Sequence, residues 1–205
     1  MRLFLGLKVC DEVANCGSCG IARVDEWGMH SLACKGKGGG MYQRHEMVVQ
    51  AILQCCKDAE QPAKGGQGGE MTGLIMGTGQ RPADIYLATG VYDLPEAWDV
   101  TIIYPTSQST KSQAIKKKDF VLNKAVEQKR RDYEGKFVDG NVKFTPIAMD
   151  VFGAMHEDGM KIIERLATHA ASVLEEPVGF VLKRFKTRIQ VALFKQTSQM
   201  INYRG

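Results

Sequence analysis

Four residues in the first part of the chain have types and spacing suited to a metal ion. Cys16, Cys19, His30 and Cys34 form the pattern C-x2-C-x10-H-x3-C. A tetrahedral zinc takes four thiolate or imidazole ligands. The C-x2-C turn brings two sulfurs to one ion, and His30-x3-Cys34 sets two ligands one helical turn apart on one face. Gly17, Gly20 and Gly28 supply the turns so small a module needs. Since protein fills all four positions, this zinc would be structural. Cys10, Cys55 and Cys56 fall outside the pattern, and the latter two sit within a helical apolar period as packing residues.

A second set is acidic. Arg81-Pro82-Ala83-Asp84 leads into ADIYLA, and fifteen residues later Asp99 sits inside AWDVTII. A carboxylate in an apolar strand is costly to bury unless something pairs with it. Two at the ends of neighbouring strands can converge on a divalent cation, and Asp oxygens are the hard ligands that Mg²⁺ prefers. Such a cation orients water and stabilises the charge of a phosphoryl-transfer transition state. The residues alone leave a second reading open, in which Asp84 starts a strand and Asp99 pairs with a lysine.

These side chains need a frame. Met41–Ala59 carries Val48, Val49, Ile52, Leu53 and Cys56 at helical period. It lies between two glycine-rich breaks, KGKGGG at Lys35–Gly40 and KGGQGG at Lys64–Gly69. Ala83–Ala88 and Ala97–Tyr104 are short, β-rich and apolar, with Met71–Met76 a weaker strand before them. Ser112–Tyr133 is charged and free of Gly and Pro, which predicts one long helix. Asn141–Met149 returns to strand character despite Pro146. Glu157–Leu174 is an amphipathic helix with Ile162, Ile163, Leu166 and Val173 inward, and Val178–Ile201 is another helix. The order helix, three strands, helix, strand, helix predicts a three-layer α/β domain behind a small Cys-rich module. The expected divisions are 1–40, 41–175 and a basic C-terminal helix at 176–205.

The 205 residues, 44% hydrophobic and 24% charged, exclude wholesale disorder. No apolar run nears the ~20 residues that span a bilayer, so no membrane partner is expected. MRLFLGLKV is too short for a signal-peptide core. Six cysteines fit a reducing compartment better than a disulfide scaffold. The net charge of +4 is modest, but its distribution is uneven. Pro177–Gly205 holds six basic residues and no acid, and Lys111–Arg131 holds eight basic residues against Asp119 and Glu127. Either stretch can meet phosphates or form a solvated helix face.

The run from Cys16 to Tyr133 resembles the restriction-like endonuclease region of site-specific non-LTR (LINE-type) retrotransposons, part of the PD-(D/E)xK nuclease superfamily. The resemblance rests on five pieces in the same order: the Cys/His motif, Arg44-His45, Arg81-Pro82-Ala83-Asp84, Asp99-Val100-Thr101, and Lys129-x3-Tyr133. It implies a restriction-endonuclease-like αβββαβ core, with Asp84, Asp99 and the Val100 carbonyl holding Mg²⁺ or Mn²⁺. Two departures stand out. Ala83 makes the motif P-x-D, and Thr101 stands where the superfamily pattern has its lysine. In the retrotransposon family that lysine comes from the following helix, which points to Lys129, with Lys124 second and Lys116–Lys118 nearer the helix start. Glu46 or Glu70 would be an additional acid. Arg44, His45, Arg81 and Lys124 would contact DNA. His156 and His169 read as surface or packing residues, Trp98 as core, and Trp27 as packing on the zinc module.

The expectation is a Mg²⁺-dependent DNA endonuclease that nicks DNA to leave a 3′-hydroxyl, with a nuclear location following from the substrate. Its alternative is a catalytically silent, zinc-containing DNA-binding remnant. A third reading, an RNA-binding zinc-knuckle protein, would show as a preference for RNA over duplex DNA. Whether the chain acts as a monomer or a homodimer stays open.

Overall fold

The computed structural model describes residues 7–9, 14–17, 19–34, 36, 40–66, 73–75, 82–90, 94–105 and 111–202. In chain order the elements are β1 (Ala14–Asn15), β2 (Arg23–Val24), α1 (Met29–Ala33), α2 (Gly40–Asp58), β3 (Ala63–Gly65) and β4 (Ile85–Leu87). They continue with β5 (Glu96–Ile103), α3 (Lys111–Lys116), α4 (Phe120–Tyr133), β6 (Lys143–Asp150), α5 (Glu157–Leu174) and α6 (Val178–Asn202). The fold is mixed α/β, built on a four-stranded mixed sheet of order β3-β4-β5-β6. The first two pairings are antiparallel and β5–β6 is parallel. A separate two-stranded ribbon, β1–β2, carries the Cys-rich segment.

Alternation along β5 explains the layers. Successive strand side chains point to opposite faces. Trp98 and Val100 join the main core with α2, α5 and α6. Ala97 faces the other way, into a cluster with Phe137, Phe144 and Tyr133. Asp99 shares that second face, where Leu122 and Val126 of α4 pack on Ala148 of β6. Helix α6 contributes Val181, Phe185, Ile189 and Leu193, a four-residue stripe, to the main core. Lys183 and Arg184 are exposed beside this stripe, while Arg188 pairs with Asp58 of α2 at 2.8 Å.

Several sequence expectations change here. Among the described residues the first sheet strand is Ala63–Gly65. It lies where the glycines suggested a break, and Gly65 is needed because a Cβ there would stand 2.1 Å from the Asp84 carbonyl oxygen. Within the expected strand Met71–Met76, Ile75 makes one isolated bridge to Phe137, while Met71 and Met76 lie outside the described residues. The predicted helix Ser112–Tyr133 is two helices. Asp119 between them has φ 57°, a left-handed backbone no helix can continue through. Pro146 is accommodated because β6 is an edge strand. Val173 is 38% exposed on the outer face of α5 rather than turned inward.

One buried ion pair stiffens the sheet. Glu96, 2% exposed, accepts from Arg165 of α5 and from Trp98 Nε1 at 2.9 Å. Removing one partner of such a pair strands a buried charge, which costs about 3–5 kcal/mol. Arg165→Met should lower stability in urea by that amount. Arg165→Met with Glu96→Gln should recover most of it, since both charges are then gone.

Candidate functional site

The Cys/His cluster is assembled by the ribbon and α1. Cys16 and Cys19 lie in the β1–β2 turn, closed by the Gly20 N–H to the Cys16 carbonyl at 2.7 Å. Gly20 and Gly28 both need positive φ, at 68° and 66°, the first in the turn and the second entering α1. His30 is in α1 and Cys34 ends it, which is the one-turn spacing foreseen. The four ligand atoms lie within 4.8 Å of one another. Cys16 Sγ and Cys34 Sγ are 3.7 Å apart, and Cys19 Sγ is 3.4 Å from His30 Nε2. A tetrahedral zinc with sulfur ligands at 2.3 Å has edges of about 3.8 Å, so the donor set fits the ion. The backbone N–H groups at the Cys19 sulfur, Ala22 first, pull that thiol down to about 6, which favours the thiolate a metal takes. These four residues can hold a zinc ion. Trp27, 37% exposed, is less packed on this module than expected.

The acidic set forms where β4 begins. Asp84 precedes β4, and its backbone N–H still bonds the Trp98 carbonyl at 3.0 Å. One step along β5 no β4 backbone remains. The Val100 N–H takes the Asp84 carboxylate instead, at 2.7 Å. On the other side His45 of α2 reaches in. Its Nε2 is 3.1 Å from Asp84 Oδ2 and 2.9 Å from the Val100 carbonyl oxygen.

Asp99 faces α4, where Lys129 Nζ lies 3.1 Å from Oδ1 and 2.9 Å from Oδ2. The Tyr133 ring, one turn on, has its centroid 5.7 Å from the same ammonium. Although Oδ2 is within ion-pair range, it is buried without an aligned hydrogen bond.

Charge coupling follows burial. Burial pushes the Asp99 carboxyl up to about 6, against the pull of Lys129. Lys129 is itself half-buried, which opposes its charge, but Asp99 outweighs this and raises it above the ordinary lysine value. His45 is raised too, because Asp84 overcomes the cost of burying an imidazolium. The arrangement therefore holds two carboxylates, one strand carbonyl, one imidazole and one ammonium around a single strand end. Such a donor set fits a hard divalent cation: a buried carboxylate oxygen lacks an aligned donor, and Asp84 and Val100 present oxygens to one point.

Of the other sequence candidates, Glu46 accepts from Gln50 at 2.8 Å and borders Gly66, whose N–H bonds the Asp84 carbonyl at 3.1 Å. That places Glu46 beside the site. Lys124 and Lys116–Lys118 are exposed and make no contact with Asp99. Arg81 and Glu70 lie outside the described residues, as does Cys10.

Arg44 departs from the expected DNA contact. It is 1% exposed, and Nη2 donates to the Leu32 carbonyl at 3.1 Å. Leu32 lies between His30 and Cys34, so Arg44 ties the Cys/His module to the helix carrying His45. Its helical phase gave the signal: Arg44, Val48, Ala51, Ile52 and Cys55 line one buried stripe. His156 caps α5 by accepting from the Asp158 N–H at 3.2 Å, and Trp98 is fully buried, as read.

No helix among the described residues is long and apolar enough to cross a membrane. No protein-family model matches the chain, and a search of curated proteins finds no match either.

Proposed function

We propose that the chain is a metal-dependent DNA endonuclease with a restriction-endonuclease-like core, akin to the nuclease region of LINE-type retrotransposons, and that it nicks DNA. The observation that carries this reading is the convergence of Asp84, Asp99, the Val100 carbonyl and Lys129 at one strand end. They come from three separate elements, and a purely structural Asp99–Lys129 pair would not require Asp84 and Val100 beside it. The strand order, with three antiparallel strands and a fourth parallel to the third, suits such a core.

Asp84, Asp99 and the Val100 carbonyl would hold Mg²⁺ or Mn²⁺. A cation bound there polarises water and offsets charge building on the phosphate. Lys129 stays protonated, so it orients the attacking water and faces the developing negative charge rather than removing a proton. As the water oxygen bonds to phosphorus the P–O3′ bond would break; the water's proton leaves to solvent, and the departing 3′-oxygen takes one up from solvent to end as the 3′-hydroxyl. The zinc module and the basic faces of α4 and α6 would hold the DNA backbone, with affinity falling steeply as salt rises.

A second reading, a silent DNA-binding remnant, draws on the P-x-D spacing and on Thr101. Supercoiled-plasmid cleavage separates the two. With Mg²⁺ or Mn²⁺ the chain should convert plasmid to open circle, and EDTA, Asp84→Asn or Asp99→Asn should stop it. A gel shift without conversion supports the remnant. Full nicking by either asparagine variant would remove that acid from the site.

A further inference from the structure

We propose that His45 is itself a ligand of the cation at Asp84, Asp99 and the Val100 carbonyl, and that its nitrogen tilts this site from Mg²⁺ toward Mn²⁺. The inference rests on the nuclease reading for the cation's presence and adds a ligand the resemblance does not supply. Its basis is where Nε2 points. This one atom is 3.1 Å from Asp84 Oδ2 and 2.9 Å from the Val100 oxygen, two of the three oxygens that would bind the metal. Cis ligands at about 2.1 Å from an octahedral ion stand about 3.0 Å apart, so both distances from Nε2 match the spacing of neighbouring ligands on one ion. The same distances suit hydrogen bonds, and without metal an Nε2–H donates to the oxygens. With metal, the Nε2 lone pair goes to the ion, its proton goes to solvent, and Nδ1 keeps the other proton.

A DNA-contacting histidine would turn its polar edge outward. The helix under His45 leaves little freedom to do so. Arg44 beside it is buried, as are Val48 and Val49 one turn on. Imidazole donors favour transition metals, whereas Mg²⁺ prefers an all-oxygen shell and gives up its waters reluctantly. An oxygen site with one imidazole therefore suits Mn²⁺ better than a carboxylate-only site does.

The test uses the full chain with its zinc module loaded, so that His30 is already committed to zinc. One equivalent of Mn²⁺ is added, and pulsed electron paramagnetic resonance reads ¹⁴N modulation on the manganese. Wild type should show a directly bound nitrogen, and His45→Ala should lose it. By calorimetry, His45→Ala should weaken Mn²⁺ binding at least about tenfold, the scale seen when metal-site partners are removed. Mg²⁺ affinity should move by less than about threefold.

Bound Mn²⁺ that shows no nitrogen in wild type, yet is lost in Asp84→Asn, would overturn the His45 assignment and leave the nuclease reading standing. No Mn²⁺ or Mg²⁺ binding by wild type would overturn both. The wild-type spectrum decides the ligand question even if His45→Ala fails to fold, and His45→Gln offers a second variant of similar size.

Discussion

Lys129→Met should cut nicking by about 10²–10³-fold at pH 7, the range lost when one group that stabilises transition-state charge is removed. Two effects combine. The first is loss of the ammonium that faces water and phosphate. The second acts through Asp99. With Lys129 present, burial already holds that carboxyl near 6. Without Lys129 the buried carboxyl loses its strongest opposing charge and rises further, so more of it is neutral at pH 7 and fewer molecules can bind a cation.

The sign gives a control. An acid ionises as pH rises, so the Lys129→Met defect should shrink between pH 7 and pH 9 by the part that runs through Asp99. Wild-type nicking at limiting Mg²⁺ should rise between pH 5 and pH 7 for the same reason. Lys129→Arg keeps the charge but changes its shape, and should fall between the two. The measurement is initial nicking rate against pH for the three proteins. A Lys129→Met rate within threefold of wild type would end the proposed role.

Removing zinc should have the largest effect on the fold. Structural zinc contributes about 10 kcal/mol of apparent binding free energy at neutral pH in small modules, more than most domains have in total stability. The β1–β2 ribbon pairs only two residues per strand, and α1 has five residues. Neither is long enough to persist without the ion. Chelation should release one zinc per chain, melt residues 14–34 by circular dichroism or hydrogen exchange, and lower the temperature of global unfolding.

The damage should not stop at the module. Gly28 packs against Ile201 of α6 and Gly40 against Met200, while Leu32 provides the acceptor for Arg44. Cys34→Ser should reproduce the chelated state without a chelator. An unchanged melt in either case would show that the four ligands hold nothing the fold depends on.

The parts of this site legible in the sequence are those that types and spacing define. Four soft ligands within 19 positions announce a metal before any fold is known. Asp99 stands out because a carboxylate in AWDVTII must be paired. The lysine that pairs with it is one of eight basic residues between Lys111 and Arg131, and only the family resemblance, anchored on Tyr133, singled out Lys129.

What stayed hidden depends on partners remote in sequence. The first sheet strand was invisible because its glycine is needed for close approach to Asp84, and glycine in sequence reads as a break. The buried Glu96–Arg165 pair joins residues 69 apart, with no local pattern to betray it. Arg44 reads as a DNA contact because the resemblance places it there, and its actual partner, the Leu32 carbonyl, is a backbone atom that no side-chain pattern marks. The left-handed Asp119 is a single residue in an otherwise helical run, which composition cannot detect.

The two margins of the sheet bear on how copies of this chain can meet. One margin is β3, only three residues long, with Pro62 just before it and Lys64 within it. The other is β6, which carries Pro146, a residue with no N–H to offer. Short strands, proline and lysine are the features that keep sheets from extending edge to edge. Neither rim is a good template for a foreign strand, so fibrillar growth from the folded state is disfavoured. If two copies assemble to cut opposite DNA strands, the contact must run through helices or through the DNA itself. A rise of double-strand breaks steeper than first order in protein concentration would be its kinetic signature.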